Sequence, residues 1–317
     1  MIRYTSAGYH CAVIPSALPA VAAFPPAPDD SAAPVPLVVP VRFEHCSRTG
    51  STNADLLAKP FDGAPAGPRL LWADEQTAGR GRRGRVWQSN PGDSLTFSLA
   101  IETAVRGADR SGSMAGFSLA VGVCLAQVLE RSAVAAGPIR LKWPNDLILG
   151  EGKVGGVLIE VREHAGIQRM VIGCGINLRV QPIGPSDEAV AALPSAGLLA
   201  PDHPGLSCEQ AGSLVMACAQ GLVRAHHDFR LSGLQTFRQR WLARDFFADR
   251  PIVLTDARRQ LVSGRNAGID ADGALLVDDG RGVRAFAIGD VSARPMVGPN
   301  AEPSAGAADV VGTEPGR

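Results

Sequence analysis

The sequence predicts an α+β fold, in which a mixed sheet with flanking helices is followed by a small C-terminal β-barrel. Strand and helix patterns alternate up to about residue 244, and beyond that point short strands and tight turns follow. Both ends of the chain are instead rich in Ala, Pro and Gly. We therefore predict a disordered tail over 1–40, a main domain over 41–244, a barrel over 245–296 and a second disordered tail over 297–317.

Each element of the main domain rests on a local signal. Ser51 or Thr52 can cap a helix that runs to Ala58. A run rich in Ala, Val and Leu predicts a long helix over 113–136, which Gly137-Pro138 ends. Apolar or alternating runs predict strands over 69–73, 95–101, 139–143, 154–161 and 170–178, and helical periodicity returns over 207–229 and 234–243.

The barrel is predicted from four short β-rich runs that are separated by turn residues. The turns include Asp270-Ala271-Asp272-Gly273 and Asp278-Asp279-Gly280, which are typical of tight hairpins. The predicted strands are 251–255, 259–269, 274–277 and 283–288.

Composition argues against several classes of protein. The 31 basic and 31 acidic residues cancel, so the chain has no long-range attraction to nucleic acid or to an anionic membrane. No apolar run approaches the ~20 residues of a transmembrane helix. Eight prolines in residues 1–40 interrupt any secretory or helix-turn-helix pattern. Six scattered cysteines without metal-ligand spacing favour reduced thiols in the cytoplasm.

The most distinctive motif is Gly79-Arg80-Gly81-Arg82-Arg83-Gly84-Arg85, which Trp87 follows closely. Glycine lets the backbone approach a ligand, and arginine supplies forked donors for carboxylate and phosphate. Because charge is balanced over the whole chain, this cluster is a local feature. It predicts a mobile loop that holds an anion.

Two known phosphate-binding motifs fit this loop poorly. Its glycines have the dinucleotide-binding spacing, but a Rossmann loop must open a helix, and here Pro91-Gly92 and a strand follow. A P-loop would end in Gly-Lys-Ser or Gly-Lys-Thr, and this loop contains neither sequence. A solvated basic loop remains the alternative while the stretch is considered alone.

Only three of the 31 basic residues are lysines, namely Lys59, Lys142 and Lys153. Because the chain uses arginine so widely, each lysine that it retains has one of two explanations. Either a tight site needs a compact ammonium group, or the lysine is there by chance. Lys142 and Lys153 flank one turn, which favours a functional role. Lys59 stands beside Pro60 in a predicted loop, which favours chance.

Five motifs occur in a fixed order: Ser51-Thr52-Asn53, then 74–87, Lys142-Trp143-Pro144-Asn145-Asp146-Leu147, 153–160 and Gly173-Cys174-Gly175-Ile176-Asn177-Leu178. Together they resemble the biotin protein ligases, which attach biotin to a carrier domain of biotin-dependent carboxylases. The resemblance runs from about Phe43 to Arg294 and includes the barrel. It implies a biotin/lipoate ligase-like catalytic domain related to class II synthetases and an SH3-like barrel.

The resemblance also implies a role for individual residues. Arg82 and Lys153 are the expected catalytic residues, and Asp146 is expected to orient the acceptor lysine, although a purely structural turn explains Asp146 equally well. A plain helix cap and a core aromatic are the alternatives for Ser51–Asn53 and Trp87. The expected biotin contacts are Ser51, Thr52, Asn53, Gln76, Arg80, Gly81, Arg82 and Lys153, and the expected ATP or adenylate contacts are Arg83, Arg85, Trp87 and Asn177.

The implied activity is ATP-dependent formation of biotinyl-5'-AMP and transfer of biotin to a lysine of a biotin carboxyl carrier domain. Mg²⁺ is expected to accompany ATP without a dedicated protein site. The tail offers no DNA-binding domain, so we expect a monofunctional ligase without nucleic-acid or membrane partners, and the choice between monomer and homodimer stays open. The alternatives are a lipoate or octanoate ligase and a non-catalytic biotin- or nucleotide-binding regulator.

Overall fold

The computed structural model describes residues 11–12, 39–105, 114–181, 193–255, 260–288 and 292–295. Of the tail predicted over 1–40, it describes a two-residue strand, Cys11–Ala12, and residues 39–40. The tail predicted over 297–317 lies outside the described residues, so both tails stay predictions. In the described ranges, no helix combines the length and apolar character needed to cross a membrane.

The main domain is built on an eight-stranded mixed sheet, as predicted. Its strands are β1 (Cys11–Ala12), β2 (Arg42–Thr49), β3 (Arg69–Gln76), β4 (Ser94–Ala104), β5 (Ile139–Lys142), β6 (Asp146–Leu149), β7 (Gly152–His164) and β8 (Ile167–Asn177). They lie in the order β1-β2-β3-β4-β8-β7-β6-β5. Strands β2 and β3 are parallel, and the other neighbouring pairs are antiparallel.

Helices cover the two faces of this sheet unequally. They are α1 (Thr52–Ala58), α2 (Phe117–Arg131), α3 (Cys208–Ser232) and α4 (Gln235–Leu242). The large core, which includes Phe97, Leu125 and Leu222, holds α2 and α3 against one face. On the other face α1 buries only a small cluster around Leu56 and Leu71, which leaves the rest of that face open for a site.

Helix α2 is shorter than the predicted 113–136. Gly116 precedes it in the left-handed region with φ 77°, and Ala133 just beyond its end has φ 56°. Neither conformation fits inside an α-helix, so the helix lies between these two residues. The helix predicted from composition was therefore too long. Strands β2 and β6 were not predicted, because β2 mixes charged and apolar residues and β6 lies between Lys142 and Lys153, where the sequence predicts a turn.

The C-terminal region forms a five-stranded antiparallel sheet, which agrees with the predicted small β-domain. Its strands are β9 (Pro251–Thr255), β10 (Gln260–Ile269), β11 (Leu275–Asp278), β12 (Val283–Phe286) and the unpredicted β13 (Ser292–Pro295), in the order β12-β11-β10-β9-β13. Trp143 Nε1 donates to Gly273 O at 3.0 Å, and Arg238 Nη2 donates to Ile269 O at 2.7 Å. These bonds tie this sheet to the main domain.

Arg169 is the most thoroughly paired buried charge of the main sheet. Its side chain is 3% exposed and faces Glu102, which is 5% exposed on the neighbouring strand. Arg169 Nε donates to Glu102 Oε1 at 2.7 Å, and the guanidinium also donates to Lys59 O and to Pro60 O. Arg169 therefore fixes the start of the loop that follows α1 to the sheet, and Ala66 N further along this loop donates to Glu102 Oε2 at 2.8 Å.

We expect Arg169→Met to lower the free energy of unfolding by about 3–5 kcal/mol, because it leaves Glu102 as a buried charge without its guanidinium. Denaturant titration measures this change. The matched control is Arg162→Met, at the paired position on the neighbouring strand, since Arg162 is exposed and donates to a backbone oxygen, Leu57 O. Equal stabilities of the two variants would contradict the assignment of Arg169 as an anchor.

Candidate functional site

A cavity of about 590 Å³ lies on the sheet face that α1 leaves open. This volume is in the range of small-molecule sites. Residues from α1, the arginine loop, six strands of the main sheet and the C-terminal sheet contribute to its walls. The lining includes each residue predicted for the site: Ser51, Thr52, Asn53, Gln76, Arg80, Gly81, Arg82, Arg83, Arg85, Trp87, Asp146, Lys153 and Asn177.

The floor of the cavity is a stretch of β8 without side chains on that face. Gly173 pairs with Ser98 of β4, and Gly175 pairs with Thr96. A Cβ on Gly173 would overlap the carboxamide of Asn53, and a Cβ on Gly175 would overlap the indole of Trp87. Both glycines are therefore required by close approach of neighbouring groups rather than by backbone conformation.

A row of amides and hydroxyls lines one end of the cavity. Thr52 N donates to Gln76 Oε1 at 2.7 Å, and Thr52 Oγ1 lies 2.6 Å from Ser98 Oγ. Ser98 Oγ donates to Asn53 Oδ1 at 2.6 Å. Ser51 caps α1 by accepting from Ala54 N at 3.4 Å, so it has the cap role and also lines the cavity.

The arginine loop is a β-hairpin over residues 79–87, which we call the arginine hairpin. Trp87 N donates to Gly79 O at 2.9 Å, and Gly81 N donates to Arg85 O at 2.7 Å. Its tip is one turn of 3-10 helix in which Arg83 has φ 61°. No α-helix follows before β4, which agrees with the rejection of a Rossmann loop.

The tip of the arginine hairpin contacts two distant segments. Arg82 Nη1 donates to Asn145 Oδ1 at 3.3 Å, and Arg83 Nη2 donates to Thr255 O of β9 at 3.5 Å. The guanidinium groups of this hairpin therefore close the cavity between the main domain and the C-terminal sheet.

Two of the three lysines meet one carboxylate at the other end of the cavity. Lys153 Nζ lies 2.7 Å from Asp146 Oδ1, and Lys142 Nζ lies 3.0 Å from Asp146 Oδ2. Burial alone would raise the pKa of Asp146, but the two ammonium groups hold that pKa well below its usual range. Burial lowers the pKa of Lys142 from its ordinary value, and Asp146 opposes that shift.

Sequence reasoning missed several residues of this site. Ser98 and Glu160 complete the polar row, Ser195 receives a hydrogen bond from Asn177 Nδ2 at 3.3 Å, and Arg294 reaches the cavity from β13. The alternation of Thr96 and Ser98 with apolar neighbours could have indicated Ser98, because it predicts a polar face on β4. No local signal indicates the contribution of Arg294.

Cys174 and possible metal ligands add no further chemistry to the site. Burial raises the pKa of the Cys174 thiol well above its ordinary range, so this thiol stays protonated at neutral pH. Over the described part of the chain, no three His, Cys, Asp or Glu side chains are grouped to hold a metal ion.

Comparison with protein families gives two matches. Residues 47–177 match the biotin/lipoate A/B protein ligase family, and residues 248–294 match the biotin protein ligase C terminal domain. A biotin--[acetyl-CoA-carboxylase] ligase from Paracoccus denitrificans is 31% identical over 235 residues, which are 73% of this chain and 92% of that protein.

The bifunctional ligase/repressor BirA of Escherichia coli is 32% identical over 223 residues, or 70% of this chain, and the match spans only 65% of that relative's length. Among solved structures, the biotin protein ligase from Aquifex aeolicus in complex with biotin and ATP is similar with a TM-score of 0.64 at 22% identity. That match covers 80% of this chain and 99% of the other, and it confirms the predicted fold.

We expect Gly175→Ala to displace the indole of Trp87, because the new methyl group needs the space that the ring occupies. The other three tryptophans are at most 4% exposed, so acrylamide quenching of fluorescence should increase through Trp87. Gly67→Ala is the control, since no atom lies within 4 Å of its added Cβ. Unchanged quenching in Gly175→Ala would contradict this packing.

Proposed function

We propose, because this chain belongs to the biotin protein ligase family, that it activates biotin with ATP and transfers the biotinyl group to a lysine of a biotin carboxyl carrier domain. The observation that carries this proposal is the pairing of two ends in one cavity. An amide-and-hydroxyl row lies at one end, the lysine pair lies at the other, and the arginine hairpin contacts residues at both.

The polar row suits the ureido ring of biotin. A ureido group offers two N–H donors and one carbonyl acceptor, and hydroxyls and carboxamides can meet both needs. Thr52, Asn53, Gln76 and Ser98 are already linked to each other, so little reorganisation is needed when the ring binds. Gly173 lets the Asn53 carboxamide lie against the sheet, where it forms part of the cavity wall.

The cationic end suits the activation step. A biotin carboxylate oxygen attacks the α-phosphorus of ATP, a new P–O bond forms, and pyrophosphate leaves. Two anions must approach each other, so positive charge has to compensate their repulsion and the charge that develops on phosphorus. We assign this role to Arg82 and Lys153, with Arg80 and Gly81 on the biotin carboxylate and with Arg83, Arg85, Trp87 and Asn177 on the nucleotide.

Asp146 is the residue that we assign to the second step. Its lowered pKa keeps it ionised at neutral pH, and each of its oxygens retains a lone pair beside the lysine that it binds. It can therefore accept a hydrogen bond from the incoming acceptor amine while it holds Lys153 in place. Attack of that amine on the biotinyl carbonyl forms the amide and releases AMP.

The chemistry of the polar row also separates this function from its closest alternative. Lipoate and octanoate carry no N–H groups in their ring or chain, so they cannot donate to the acceptor oxygens of the row as the two ureido N–H groups of biotin can. A non-catalytic regulator would bind biotin but would need neither the lysine pair nor the arginine hairpin at the carboxylate.

The remaining expectations belong to this proposal. We propose that Mg²⁺ enters bound to the phosphates of ATP, and we assign it no protein ligands. Reduced cysteines 46, 124, 174, 208 and 218 are compatible with a cytoplasmic enzyme. The absence of a nucleic-acid partner and the oligomeric state stay predictions.

The decisive experiment supplies the purified protein with ATP, labelled biotin and a purified biotin carboxyl carrier domain. We expect label to appear on the carrier, to depend on ATP and to disappear when the acceptor lysine is replaced by arginine. Equal labelling with octanoate or lipoate would reject the biotin assignment, and binding without labelling would support a regulator.

We expect Lys153→Ala to reduce biotin-stimulated exchange between ATP and pyrophosphate by about 10²- to 10³-fold, because it removes an ammonium aimed at the developing charge. Lys59→Ala is the control, since Lys59 binds Glu44 away from the cavity. Exchange that survives in Lys153→Ala at the control rate would exclude Lys153 from the activation step.

A further inference from the structure

Glu160 lies on β7, next to the polar row, and its two carboxylate oxygens have different partners. Oε2 accepts from Asn53 Nδ2 at 2.8 Å, and Oε1 accepts from Arg80 Nη2 at 3.4 Å. The Glu160 side chain is 28% exposed. One carboxylate therefore joins the start of α1 to the arginine hairpin, and neither the motifs nor the proposed mechanism gives it a role.

The contact between Glu160 and Asn53 determines which groups donate and which accept in the hydrogen bonds of the polar row. A carboxylate only accepts hydrogen bonds, so the Asn53 atom that faces it is the amide nitrogen. That nitrogen also donates to Leu158 O at 3.3 Å. Asn53 Oδ1 therefore accepts from Ser98 Oγ. Because the single hydroxyl proton of Ser98 is used in that bond, Ser98 Oγ accepts from Thr52 Oγ1.

The contact with Arg80 anchors the arginine hairpin to the sheet. Arg80 pairs with Val86 at the base of the hairpin, so restraining Arg80 restrains the whole hairpin. Because its side chain is 49% exposed, the ion pair with Glu160 is weak and sensitive to salt. An ion pair of this strength can hold the hairpin and still allow Arg80 to bind another anion in place of Glu160.

We propose that Glu160 is a positioning residue with two effects. It holds Arg80 and the arginine hairpin against the cavity before substrate binds, and it orients the Asn53 amide for the ureido ring. The identity of the ligand rests on the proposed function. When biotin binds, its carboxylate takes the place beside Arg80 that the Glu160 carboxylate provides in the unliganded protein.

Two substitutions separate these effects. In Glu160→Gln the side-chain oxygen can still accept from Asn53, but the amide nitrogen cannot accept from Arg80, so only the anchor is lost. In Glu160→Met both acceptors are lost. Glu151→Gln is the matched control, because it removes an exposed Arg–Glu pair with Arg140 at 2.9 Å away from the cavity.

Limited digestion with trypsin measures the anchor, since the hairpin contains four arginines and mass spectrometry identifies cleavage there. At low salt and without ligand, we expect Glu160→Gln and Glu160→Met to be cleaved in the hairpin about three- to fivefold faster than the parent and Glu151→Gln. The difference should vanish in about 1 M salt. Equal cleavage of Glu160→Gln and the parent at low salt would overturn the anchor.

Calorimetric binding of biotin methyl ester measures the second effect, because the ester keeps the ureido ring and lacks the carboxylate that Arg80 would bind. We expect Glu160→Gln to bind within about twofold of the parent and Glu160→Met to bind roughly fivefold more weakly. Equal affinity of both variants would overturn the orientation of Asn53. If the parent binds neither biotin nor its ester, the proposed function fails, while the digestion still decides the anchor.

Discussion

The structure of the site depends on the missing side chains of Gly173 and Gly175 at the centre of the main sheet. They lie on β8 opposite Ser98 and Thr96 of β4, where an ordinary strand would carry two side chains into the space above the sheet. The carboxamide of Asn53 and the indole of Trp87 occupy that space instead. These two groups from outside the sheet therefore lie directly on its backbone and form part of the cavity wall.

The polar row and the cationic half of the site are held in place in different ways. The polar row is held by short hydrogen bonds between buried groups, so its geometry is set before a ligand arrives. The cationic half instead rests on a hairpin whose arginines are exposed or half-buried and whose contacts are longer. The rigid polar row, which suits a neutral ring, thus lies beside an adaptable hairpin that suits anions. This arrangement matches a site that must admit ATP and release AMP.

Charge balance explains why one carboxylate lies within so cationic a cavity. Without Asp146, two ammonium groups would face each other near several guanidinium groups, at a cost that rises as water is excluded. With it, Lys142 and Lys153 are held in fixed positions and the cavity keeps a net positive charge. Glu160 has the same balancing effect at the base of the arginine hairpin.

The sequence by itself determined the fold class, most element positions and the identity of the residues around the cavity. The residues around the cavity stand in contiguous motifs that resemble those of the biotin protein ligases, and the element positions follow from local caps and periodicity, which need no knowledge of the rest of the chain. Tertiary structure alone decided which face of the sheet stays open, that the arginine loop is a hairpin, that Glu160 binds Asn53 and that Arg294 lines the cavity. These depend on strand register and on contacts between segments far apart in the chain, such as Asn53 and Glu160, and no local pattern encodes such a contact.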